Sequence, residues 1–186
     1  PWTEASFSFF RDGGAGFDVS YRLGAEEEPL PEVLGLGVMT PDADYPGEWF
    51  ESRPRRVPFF AGLALPFIID IVPEGGRFAF DVQKSVALFL SLTGSDRFAV
   101  TPLVYKNYRD FFEYTDIPEL PVTKPDEIWN HVTPTSIFVS RGRDRKVYLQ
   151  VLCECDWEEE HGLQLVFREG KTLVRVSEQD GHLTEG

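Results

Sequence analysis

Cysteine is nearly absent from this chain: 186 residues hold only Cys153 and Cys155. One residue apart on a strand, the two are too constrained for an ordinary disulfide. So few thiols suit a reducing cytoplasm. Neither cysteine belongs to the paired C-x2-C spacing of structural zinc. Histidine is equally scarce, with His131, His161 and His182 alone. Long apolar runs are missing too. The longest, "FFAGLALPFIIDIV", is broken by Pro66 and Asp70, and nothing approaches the roughly 20 residues that span a bilayer. The opening "PWTEASFSFF" has no basic start before an apolar stretch, so it does not read as a signal peptide. Positive charge is in short supply: 18 Lys and Arg stand against 31 Asp and Glu, a formal net charge of -13. That field repels nucleic acid and anionic membranes. It leaves a basic partner, or plain solubility, as its use. No G-x-S-x-G elbow, P-loop or G-x-G-x-x-G fingerprint is found.

Aromatic residues, by contrast, are plentiful, at 14% with 16 Phe. A chain of this length buries roughly 70% of its unfolded surface, so folding requires neither metal nor disulfide. We expect one domain over residues 1–186. Residues 1–56 would hold an N-terminal hairpin and a long acidic Pro/Gly connection, and 57–186 the core. In "ASFSFFRDGGAGFDVSYRLG", Phe7, Phe9, Phe17, Val19 and Tyr21 alternate around turn glycines, the pattern of a hairpin. The stretch 26–51 reads as a surface connection with one short element near Val33–Leu36.

Helices are predicted near 80–92, 102–113 and 126–132. The first carries the apolar stripe Val82, Val86, Phe89 and Leu90 and stops at Gly94. The second starts with Thr101 as cap and Pro102 at the first helical position. A β-meander over 135–177 completes the chain. In it, Val147, Leu149, Val151, Cys153 and Cys155 share the buried face. The fold class expected is α+β: an antiparallel sheet, made of the C-terminal meander and the N-terminal hairpin, with two to three helices on one face.

The stretch with the most chemistry is "CECDWEEEHGLQLVF", Cys153–Phe167. Alternation buries both cysteines, which then act as small hydrophobes. "DWEEEHG" falls between two strands. Carboxylates crowded beside a histidine bind divalent ions or shift one another's pKa. Yet the order is neither H-E-x-x-H nor H-x-x-E-H, and the Asp/Asn-Gly ladder of a calcium loop is missing. Three readings stand. The acids form a solvated, convex tip that meets a partner. Or they form a concave metal site. Or the segment is a structural corner, with Trp157 packed on the core and His161 bonded to an acid. The basic stretches "RPRR" and "RGRDRK" read as a solvated loop and a hairpin turn.

The strings "WEEEHGL" and "DGHLT" resemble the signature W-E-x-E-H-G-L and D-G-H-L-T of a bacterial domain family of unknown function. The upstream "VPFFAGLALPFIID", "ALFLSLTGSDR", "TPLVYKNYRDFFE" and "IWNHVTPTSIFV" resemble the same family's middle region. The resemblance covers roughly Val57 to Glu185. It carries Trp157, Glu158, Glu160, His161, Gly162, Asp180, Gly181 and His182 as signature positions. It implies a bacterial cytoplasmic protein and supplies no activity. In size and acidity the family is similar to immunity proteins that neutralise toxins.

Two functions follow as expectations. The first is a protein-interaction protein, an immunity protein or antitoxin binding a basic toxin through Asp156, Trp157, Glu158, Glu159 and Glu160. It needs no cofactor, catalytic residue, nucleic acid or membrane. The second is a divalent-metal module or metal-dependent enzyme using Glu158, Glu160, His161, Asp180 and His182.

Overall fold

The computed structural model describes residues 3–10, 16–23, 30–46, 48–69 and 76–184. The chain divides into two compact units, Pro1–Leu30 and Pro31–Gly186. The smaller unit is the predicted hairpin, β1 (Thr3–Phe10) and β2 (Gly16–Leu23). Its register pairs Phe9 with Phe17, Phe7 with Val19 and Ala5 with Tyr21. The alternating positions therefore meet across the ladder, as period-two patterning requires. The predicted turn at 11–15 lies outside the described residues.

The larger unit holds an eight-stranded sheet, α+β in class as expected. Its strands are β3 (Glu32–Val33), β4 (Gly37–Pro41), β5 (Phe50–Ser52), β8 (Phe67–Ile69), β9 (Val132–Arg141), β10 (Val147–Cys155), β11 (Glu158–Arg168) and β12 (Thr172–Ser177). Their order is β12-β11-β10-β9-β8-β5-β4-β3. β8 and β9 run parallel and the other neighbours antiparallel. β6 (Arg55–Val57) and β7 (Leu63–Leu65) form a separate pair. The segment read as a surface connection thus supplies three sheet strands from residue 32 onward. The first compact unit ends at Leu30.

The meander β9–β12 lies where alternation placed it. Helix α1 (Gly76–Leu90) buries Val82, Val86 and Phe89 completely, with Leu90 half-buried at the margin. Helix α2 (Gly94–Glu113) begins eight residues before the predicted start. Its cap is Thr93, whose hydroxyl accepts from Ser95 N while Asp96 accepts from Thr93 N. This reciprocal box satisfies two orphan amides. Thr101 is interior and buried: its hydroxyl donates to Arg97 O at 3.1 Å and accepts from Trp129 Nε1 at 2.8 Å. The third helix is a 3-10 helix, Pro125–His131.

One face of the sheet meets the helices through aromatic rings. Phe167 lies edge-on to Phe59 and Phe89, with centroids at 5.4 and 5.1 Å. Such pairs add about 0.5–1.5 kcal/mol each beyond burial. Among the described residues, no helix is long and apolar enough to cross a membrane.

Candidate functional site

The site grows from an irregularity in the β10–β11 ladder. Cys155 pairs with Glu158 and Cys153 with Leu163. Between these two pairs β11 advances five residues (158 to 163) and β10 only two (155 to 153). Glu159–Gly162 thus stand against Glu154 alone, three residues in excess, and form a large bulge. A bulge re-aims side chains and ends regular pairing. Here it gathers acids at one end of the sheet. Only Asp156 and Trp157 form the turn itself.

Gly162 closes the bulge with φ +63°. A Cβ there would sit 2.6 Å from Gln179 Nε2 and 2.7 Å from Cys153 O. The missing side chain lets Gln179 dock, donating from Nε2 to Cys153 O at 2.8 Å and from its backbone N to His161 O at 3.2 Å. The chain beyond β12 is thereby latched onto the bulge, and Glu178 comes with it.

Trp157 is buried in the chain's own core. Its ring stands edge-on to Tyr108 at 5.7 Å, and Nε1 donates to Asn107 Oδ1 at 3.4 Å. This is the corner arrangement, so Trp157 is not presented to a partner and its expected role as interfacial anchor is corrected. It instead fixes the acids on either side of it. Asp156 accepts from His131, Nδ1 to Oδ2 at 2.8 Å. Glu158 Oε1 accepts the backbone amides of Glu160 and His161 at 3.1 and 3.2 Å.

The acids do not form a convex tip. Glu154, Asp156, Glu158, Glu159 and Glu160 line a depression of about 490 Å³, with Thr133, Thr135, Cys155, His161, Gly162 and Gln179 completing its wall. No lysine or arginine is among these residues, and among the described residues none pairs with any of the five acids. Four acids elsewhere do have such partners: Asp144 in Arg168, Glu169 in Lys146, Glu119 in Arg109 and Asp110 in Lys106.

The remaining predicted residues separate. Glu158 and His161 come together, and Glu178 joins them; one ligand atom from each lies within 4.8 Å of the others. Glu160, Asp180 and His182 are not in that group. Asp180 belongs to a structural latch. Arg175 grips it bidentately, both contacts at 2.5 Å, and Gln164 Nε2 and His182 N also donate to it. The Arg175 guanidinium holds its carboxyl well below the usual range. Glu178 escaped sequence reasoning because only the Gln179 latch brings it near His161.

Cys153 and Cys155 are free and buried. Burial pushes the Cys153 thiol far up, and that of Cys155 up to about 11. Neither is a nucleophile at neutral pH. A second cleft, of about 710 Å³, runs between α2 and β12 and shares Glu158 and Gly162 with the acidic depression.

No curated protein and no solved structure matches the sequence. Residues 35–183 match the family described as "Domain of unknown function (DUF6985)", and the chain belongs to that family.

Proposed function

We propose that this is an interaction protein that binds a basic protein partner through the acidic depression at the β10–β11 end. It would act as an immunity protein or antitoxin acts on a basic toxin, in a bacterial cytoplasm. The observation that carries the reading is the local concentration of one sign. Five acids crowd one depression whose lining holds no lysine or arginine. A concentrated, unneutralised field of one sign speeds encounter with an opposite charge and selects against the wrong partner. A depression, where a convex tip was expected for a partner surface, would receive inserted lysine or arginine side chains. Glu154, Asp156, Glu159 and Glu160 are exposed and reachable. Trp157 supports them from within the core. The bacterial setting follows from the resemblance, and the compartment from the scarcity of cysteine.

The test is capture from the source cell on two parallel supports, one bearing the wild-type chain and one bearing Glu159→Lys with Glu160→Lys. The reading predicts a basic protein held by the wild type at low salt, released as salt rises, and missing from the charge-reversed support. Equal retention on both supports, or no retained basic protein, would overturn it.

A further inference from the structure

We propose that Glu158, His161 and Glu178 form a binding site for one divalent transition-metal ion, zinc foremost. Glu158 and His161 belong to the wall of the acidic depression, and Glu178 joins them from the chain beyond β12. The ligand set is one imidazole and two carboxylates, a donor mix that suits zinc and its neighbours better than calcium or magnesium. One ligand atom from each of the three lies within 4.8 Å of the others. His161 Nδ1 and Glu158 Oε1 stand 3.5 Å apart. That is long for a hydrogen bond.

Two further observations bear on it. Glu158 is the least exposed of these three side chains, at 19%, and is held by two backbone amides through Oε1. The two amides take both lone pairs of Oε1, so the orientation is set before any ion arrives and Oε2 is left to meet it. In addition, neither Glu158 nor Glu178 pairs with a lysine or arginine among the described residues. The remaining coordination positions would face solvent, since His161 and Glu178 are exposed.

The experiment is calorimetric titration of the tag-free chain with zinc, then manganese and calcium. One zinc per chain is expected, bound more tightly than manganese and far more tightly than calcium. His161→Ala and Glu178→Gln should each weaken zinc at least about tenfold, with thermal unfolding showing both still folded. His182→Ala should leave it unchanged. Because both replaced side chains are exposed, loss of binding is separable from loss of fold. Cobalt bound in place of zinc should give a spectrum without a thiolate charge-transfer band. No saturable zinc site, unchanged affinity in both variants, or a thiolate band implicating Cys153 or Cys155 would each overturn the proposal.

Discussion

Gly170 and Gly37 both hold positive φ, at +72° and +85°, and make different demands on the fold. A Cβ on Gly170 would lie 1.8 Å from the backbone oxygen of Ser85 in α1, whereas one on Gly37 meets nothing within 4 Å. Gly37→Ala should therefore cost only the left-handed backbone penalty, about 1–2 kcal/mol. Gly170→Ala must also push a helix from the sheet and should cost about 3 kcal/mol or more. Urea unfolding of the two variants checks the ranking. The buried thiols give a second prediction at this scale. Their values in the folded chain lie above the ordinary 9.0, so the unfolded chain loses these protons first. Their contribution to stability is whole below pH 9 and is lost as pH rises toward the Cys155 value of about 11. Denaturant midpoints between those limits should fall, and a Cys153→Ala, Cys155→Ala chain should fall less. The burial of both cysteines was legible from alternation alone. That of Trp157 lay in the same pattern: 153, 155 and 157 share parity, and Trp157 continues the buried face through the turn. Its acidic neighbours concealed it.

At the level of elements, the latch beyond β12 sets the site. Asp180, Arg175 and Gln164 hold the chain end, and Gln179 holds Glu178 beside His161. Asp180→Asn keeps the shape and removes the charge. It should cost about 2 kcal/mol, the scale of a charge-assisted hydrogen bond in a partly buried place. Hydrogen exchange should quicken at residues 178–182 before it does elsewhere. The pH dependence has a definite sign. The folded value lies below the ordinary 3.8, so the stability is present above pH 4 and is lost as pH falls below it. Thermal unfolding of wild type and Asp180→Asn should therefore converge in acid. Sequence placed Asp180 and His182 among metal ligands because five adjacent residues say nothing of Arg175 across the turn. The start of α2 was misread for a related reason. Pro102 is a true statistical marker of a first turn, but the Thr93–Asp96 box lies upstream, and the helix runs through the proline.

Across the whole chain, the meander was legible and the other half of the sheet was not. β9–β12 are six to eleven residues long and rich in strand-forming residues, although β10 and β11 are buried on both faces over Val147–Val151 and Leu163–Phe167. β3, β4, β5 and β8 are two to five residues long, too short for a period to declare itself. The parallel β8–β9 pair joins residues about seventy positions apart, a distance at which local pattern is silent. The acids of the site were legible because charge is written in composition. Their shape was not, since the bulge depends on which residues pair across the ladder.

The central claim is that the unneutralised depression, not the general charge of -13, is what a basic partner meets. The most direct measurement is the dissociation constant of the captured partner for wild type and for Glu159→Lys with Glu160→Lys, across salt from about 50 to 300 mM. The account predicts that wild-type affinity falls about tenfold or more over that range. The variant should bind at least about tenfold more weakly at the lowest salt, with a flatter salt dependence. Equal constants with parallel salt dependence would contradict it, and would assign the binding to another face.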